Sequence, residues 1–162
     1  MGKVEAGVEI AAPLAEVWDL YFDRDRWPSW VDGFASVGSE SGYPEVGGTL
    51  SWRSTPAGRG TVQERVTAHE PRSLHRIDYE DPESSGTLEV TFEMLPSTDA
   101  DSGRRTRVTQ RLVYVIKTGG PLRGVLDLLF VRSQMRRSLE RSLVELRLEA
   151  ERTGGTQAAQ TD

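Results

Sequence analysis

The 162-residue chain carries 25 acidic against 20 basic side chains, a formal net charge of −5, and no cysteine. That length suits one domain with a core of its own, and the charge balance offers no unopposed basic face to nucleic acid, so no such partner is expected. The missing thiols exclude disulfides, thiolate metal sites and cysteine nucleophiles.

Val8 to Ala12 reads as a strand that Pro13 breaks. Proline suits the start of a helix, where its missing N–H costs nothing, and Leu14, Val17, Trp18 and Tyr21 then recur at i, i+3, i+4 and i+7, one inward apolar stripe. Trp18, mid-stripe, is assigned to packing against a sheet. Asp23-Arg-Asp-Arg26 is a solvated link, and Pro28 opens a second short helix carrying Trp30, Val31 and Phe34.

Strands follow. Thr49-Leu-Ser-Trp52 alternates after Gly47-Gly48, and Pro56 to Gly60 turns the chain. Thr61 to His69 and Ser73 to Tyr79 are read as a hairpin symmetric about Arg72. That symmetry pairs His69 with His75, Thr67 with Ile77 and Arg65 with Tyr79, and period two places them on the inner face with Gln63. Val62, Glu64, Val66, Arg76 and Asp78 then face outward; a slip of one residue exchanges the two sets. In the next hairpin Leu88, Val90, Phe92 and Met94 alternate with Glu89, Thr91 and Glu93, and Val108, Gln110, Leu112, Tyr114 and Ile116 share the covered face opposite Arg107, Thr109 and Arg111. The Ser-, Asp- and Gly-rich loop from Pro96 to Arg105 is expected to be exposed.

Gly119-Gly-Pro121 ends the strand and starts a helix from Leu122 to about Arg152, about 45 Å long at 1.5 Å per residue. Leu122, Leu126, Leu129 and Phe130 make its first half apolar; Met135, Leu139, Leu143 and Leu146 continue a narrower stripe, with Arg132, Arg136, Arg137, Arg141 and Arg147 solvated. Asp127 interrupts the most apolar run and is expected to face solvent. That run is too short to span a bilayer, so no stable membrane insertion is expected. The domain is placed at 1–152, and the tail 153–162, with nothing to bury, is expected to be disordered.

Ala12-Pro13 followed by Glu16-Val-Trp18, the Trp27-Pro28 pair, Val66-Thr-Ala-His-Glu-Pro71 and the helix opening Gly120-Pro121-Leu122 resemble the START-like, birch-pollen-allergen-like superfamily (SRPBCC). Within it they look like the bacterial polyketide cyclase/dehydrase and lipid-transport branch. The resemblance covers roughly residues 3 to 152 and implies an α+β helix-grip fold: a curved seven-stranded antiparallel sheet wrapped around the long C-terminal helix, two short helices after strand 1, and a hydrophobic cavity between sheet and helix. Aromatase/cyclase members place an aromatic residue after the Trp-Pro helix, where this chain has Phe34, and a Ser and an Arg near the end of the central strand, where it has Thr67 and His69.

Two functions fit this reading. In the favoured one the protein binds a lipid-like or polyketide-like hydrophobic small molecule in that cavity. Trp27, Trp30, Phe34, Trp52, Thr67, His75, Phe92, Gln110, Tyr114, Leu126 and Phe130 are the expected ligand-binding residues, aromatic faces stacking on a flat guest. In the alternative it is a cofactor-independent polyketide cyclase, aromatase or dehydratase, with His69 or His75 as general acid/base, Arg65 stabilising an enolate and Tyr79 completing the set. Neither reading requires a cofactor or metal; the two histidines lack the carboxylate of a facial iron site, and no phosphate-cradling glycine loop or Gly-x-Ser-x-Gly elbow occurs. Lys3 and Lys117 are the only lysines and asparagine is absent, a bias that fits a GC-rich bacterial genome. A polar, leaderless start and the lack of cysteine fit a reducing cytoplasm, and a monomer or homodimer is expected.

Overall fold

The computed structural model describes residues 1–56, 58–96, 104–117 and 125–158, without the side chains of 125–128 and 155–158. Strand β1 (Gly2–Ile10) is followed by α1 (Leu14–Phe22), a 3₁₀ turn (Arg24–Arg26) and α2 (Trp27–Trp30). Then come β2 (Phe34–Ser41), β3 (Thr49–Ser54), β4 (Thr61–Glu70), β5 (Leu74–Glu80), β6 (Ser84–Leu95), β7 (Arg105–Ile116) and α3 (Val125–Ala158). The strands form one antiparallel sheet in the order β1-β7-β6-β5-β4-β3-β2. This is the expected helix-grip architecture, with the chain's first strand closing onto its last.

Pro13 caps α1 from extended geometry, its carbonyl accepting from Val17 N at 3.1 Å, and Val17, Trp18, Leu20 and Tyr21 are buried. Asp23 then turns the chain, its carboxylate accepting from Asp25 N, the Asx geometry that stops a helix. Phe34 does not belong to α2; it opens β2 and packs edge-on to Trp27 at 5.6 Å. Trp27 Nε1 donates to the Tyr21 carbonyl at 2.8 Å, which locks α1 to α2. Removing that donor leaves a buried carbonyl unpaired, so Trp27→Phe is expected to lower the free energy of unfolding by about 1–2 kcal/mol in urea titrations.

The β6–β7 hairpin follows the expected alternation: Leu88 pairs Leu112, Val90 pairs Gln110 and Phe92 pairs Val108. Met94 departs from it and lies 63% exposed near the strand end. On the outer face Arg111 bonds Glu5 at 2.9 Å and Arg107 bonds Glu9 at 2.8 Å, exposed pairs that contribute little to stability.

α3 packs mainly on β1 and α2. Leu143, Leu146 and Ala150 are buried there, while Met135 and Leu139 are half-buried. Full burial of a leucine side chain contributes about 1.5–3 kcal/mol, so the C-terminal half of α3 anchors it. In its N-terminal half Val131 and Met135 still pack on the core, while Leu129 and Phe130 face outward and are exposed. The helix continues to Ala158, six residues past the expected end at Arg152. Leu122, the loop from 97 to 103 and residues 159–162 lie outside the described residues, as do the side chains of Leu126 and Asp127. No helix is long and apolar enough to cross a membrane, among the described residues.

Candidate functional site

The concave face is organised by the register of β4 on β5. His69 pairs His75 as the turn predicts, with Arg72 at φ 61 in the bend. A bulge between Val66 and Ala68 then inserts one extra residue, so Val66 pairs Ile77, Arg65 pairs Asp78 and Glu64 pairs Tyr79. One inserted residue reverses every side chain beyond it. His69, His75, Ile77 and Tyr79 therefore belong to the inner face as expected, but Arg65 and Thr67 do not. Both are exposed, and Thr67 Oγ1 donates back to the Arg76 carbonyl at 3.2 Å. Val62, Glu64 and Val66 take the inner positions instead. The signal was present in the sequence, since Val62 and Val66 are the apolar members of this strand's alternation; the symmetric hairpin obscured it.

Three rows cross the concave surface. The first holds Gln110, Val90 and His75; the second Leu112, Leu88, Ile77 and Val66; the third Tyr114, Gly86, Tyr79, Glu64 and Leu50. Gly86 is required by close packing, because a Cβ there would stand 2.0 Å from the Val113 carbonyl oxygen. Most of these side chains are buried: Leu50 2%, Ile77 4%, Leu112 5% and Tyr79 6% exposed. Glu64, Gly86 and Leu88 keep accessible surface although their neighbours on both adjoining strands are covered.

Glu64 Oε1 accepts from Trp52 Nε1 at 2.7 Å. Burial raises its pKa from 4.5 to about 7, against the lowering effects of that bond and of the Arg59 charge. Arg59 is itself engaged by Asp81, Nε to Oδ2 at 2.7 Å, and lies over the Tyr79 ring. Tyr79 turns its hydroxyl to Ser84 at 3.4 Å. Tyr21 OH accepts from Gln110 Nε2 at 3.0 Å, and burial raises its pKa.

At the other end of β5, Tyr43 OH meets His75 Nε2 at 3.3 Å, and His75 Nδ1 meets His69 Nδ1 at 3.1 Å. Each contact needs one donor and one acceptor, so with His75 neutral this chain has two consistent proton arrangements. Burial, then the His69 charge, lowers the His75 pKa to about 3. His69 is half-buried and stacks near Trp18 and Phe22. Four residues of β5 separate His75 from Tyr79, roughly 13 Å at 3.3 Å per residue. The proposed trio therefore does not converge: Arg65 lies on the other face, and Tyr79 is remote from His69.

The expected aromatic lining is mostly packed against itself. Phe34 stands 5.6 Å from Trp52; Phe92 meets Trp18 at 4.9 Å and Tyr21 at 5.3 Å; Trp30 meets Tyr21 at 4.9 Å. Trp27, Trp30, Trp52, Phe92 and Tyr114 are buried, whereas Phe130 is 63% exposed and turned away. Buried polar atoms without a partner include Trp30 Nε1, Gln110 Oε1 and Tyr114 Oη. Two open grooves lie outside the concave face. One of about 270 Å³ runs between α2 and α3, past Trp30, Asp32 and Arg141, and one of about 330 Å³ follows α3 by Arg137 and Val144. No three His, Asp or Glu side chains gather as a metal site among the described residues.

The sequence model of a family described as polyketide cyclase / dehydrase and lipid transport matches residues 1–151. Solved structures similar to this chain include the Zhui aromatase/cyclase from a Streptomyces species, with 21% identity, a TM-score of 0.66 and coverage of 93% of this chain and 94% of that one. A protein from Thermus thermophilus aligns with 22% identity and a TM-score of 0.62 over 99% of this chain and 100% of that one. A conserved protein from Geobacillus kaustophilus aligns with 14% identity and a TM-score of 0.59 over 94% and 97%. These identities speak for a shared fold. No curated protein matches the sequence.

Proposed function

Because the chain belongs to the polyketide cyclase/dehydrase and lipid transport family, whose fold binds hydrophobic ligands, we propose that it takes up a mostly apolar small molecule on the concave face between the sheet and α3. The observation that carries this reading is the accessible surface retained by Leu88, Gly86 and Glu64 in the middle of otherwise covered rows. Met135 and Leu139 are half-buried on the helix above, supplying an apolar roof. Removing such surface from water provides the affinity at about 25 cal/mol per Å², and the few inward polar groups orient the guest.

Binding is favoured over catalysis because the acid/base set drawn from the sequence is divided between the two faces of the sheet. A cyclase reading retains the similarity to the Zhui aromatase/cyclase but lacks Arg65 at the reacting centre.

The test is native against denaturing mass spectrometry of the purified protein, with titration of an environment-sensitive apolar dye. A released apolar compound, or saturable binding of one dye per chain, is expected. Leu88→Trp fills the central row and is expected to weaken dye binding about ten-fold or more while the circular dichroism spectrum is unchanged. A protein that releases nothing and shows no saturable binding would exclude this function.

A further inference from the structure

The side of α3 turned away from the sheet carries a stripe that is apolar at its ends and basic at its middle. Phe130, Gln134, Arg137, Arg141, Val144 and Leu148 recur at steps of four and three, which sets them along one line of the helix about 27 Å long. All six are exposed. Phe130 is 63% exposed, Leu148 46% and Val144 42%, and Leu129 beside Phe130 is 56% exposed. The core contacts of the helix, among them Met135, Leu139 and Leu146, lie across from this line. Packing within the domain therefore does not call for these apolar groups, and apolar groups clustered on a surface mark a contact.

Charge indicates the partner. Between Leu129 and Leu148 the helix carries five arginines against two glutamates, a net of +3, whereas the whole chain carries −5 and the remainder therefore −8. Glu140 lies 3.5 Å from Arg136 and Asp32 lies 3.9 Å from Arg141, while Arg132 and Arg137 make no salt bridge among the described residues. Salt screens exposed charges beyond about 8–10 Å, so a partner lying on α3 meets the local positive field rather than the acidic remainder. A second copy of the stripe is disfavoured, because pairing would set +3 against +3. Nucleic acid would satisfy the arginines but leave Phe130 and Leu148 against phosphate and sugar. An anionic lipid surface satisfies both kinds of group, with phosphates for guanidinium and the headgroup–acyl boundary for apolar side chains.

We infer that the outer stripe of α3 docks the protein side-on to an anionic membrane surface. Leu129 and Phe130 enter the headgroup layer at one end, Val144 and Leu148 at the other, and Arg137 and Arg141 meet lipid phosphates between them. The contact is peripheral and spans nothing. It lies on the side of the helix opposite the concave face, so it can fail while the apolar-binding proposal stands.

Vesicle co-sedimentation of the full-length protein tests this, with vesicles of phosphatidylcholine alone and vesicles containing about one-third phosphatidylglycerol. The wild type is expected to partition onto the anionic vesicles about ten-fold or more above phosphatidylcholine, and to lose most of that binding as salt rises from about 0.1 M to about 1 M. An arginine near such a surface contributes about five-fold, so Arg137→Gln with Arg141→Gln is expected to weaken partition about ten-fold or more. Leu129→Gln with Phe130→Gln is expected to do the same. All four side chains are exposed and glutamine suits a helix, so the circular dichroism spectrum should not change. Arg53→Gln, at an exposed position of β3, is expected to bind as the wild type does. No binding to the anionic vesicles, equal binding to both kinds, or binding that survives both double variants would overturn the docking surface. So would capture of the wild type by polyglutamate with no binding to either vesicle, which would assign the stripe to an acidic protein.

Discussion

Replacing His75 by Gln is expected to remove about 5 kcal/mol of acid lability. His75 is 2% exposed, and its pKa falls from 6.5 to about 3 because burial disfavours the imidazolium and a charged His69 would repel it. In the unfolded chain the residue protonates near pH 6.5, whereas in the folded protein it stays neutral until about pH 3. Between those values the unfolded state binds the extra proton, so stability is full above pH 6.5 and drains as pH falls. The difference of 3.5 pH units at 1.36 kcal/mol each amounts to about 5 kcal/mol. A glutamine cannot take up that proton. The measurement is urea unfolding at intervals from pH 7.5 to pH 3 for both proteins: the stability of the wild type relative to the variant should fall steadily below pH 6.5, and parallel curves would contradict it. Surface carboxylates titrate alike in the two proteins and cancel in the difference.

Glu64→Gln is expected to act with the opposite sign. Burial raises the Glu64 pKa from 4.5 to about 7, so in this window the folded protein holds a proton that the unfolded chain has released. The stabilising effect of that proton is complete below pH 4.5 and is lost as pH rises through 7, a change of about 3 kcal/mol from 2.5 units. The variant never bears the buried charge. Relative to the wild type it should gain about 3 kcal/mol between pH 4.5 and pH 8, and a constant offset would mean that Glu64 is solvated in the native state. The opposing slopes also predict that the wild type is level in pH between 4.5 and 6.5 as far as these two groups are concerned. Protonating Glu64 in the fold offsets protonating His75 in the unfolded chain.

A linear reading places one of these residues and misplaces the other. Alternation puts His75 on the inner face, where it is buried. Its partnership with Tyr43 depends on the β2–β3 loop folding back across β5, a long-range contact with no sequence signature. Alternation turns Glu64 outward, because a hairpin drawn symmetrically about Arg72 carries the pairing of His69 with His75 unchanged to the strand's far end. The bulge breaks that propagation after Val66. Thr67, the extra residue, is an ordinary strand former, so its backbone departure is visible only when the partner strand is present.

What the sequence determined by itself is the element order, the alternation of the β6–β7 hairpin, the helix start at Pro13, and the inward stripe ending in Leu143 and Leu146. Each of these follows from interactions within a few residues or from a period that repeats over a whole element. Tertiary structure alone decided where β4 changes face, that Arg65 thereby parts company with His69 and Tyr79, and that Phe130 lies on the exposed side of α3. Those outcomes hang on a single inserted residue and on how α3 is rotated against β1 and α2, and both are set by forces that act between segments far apart in the chain.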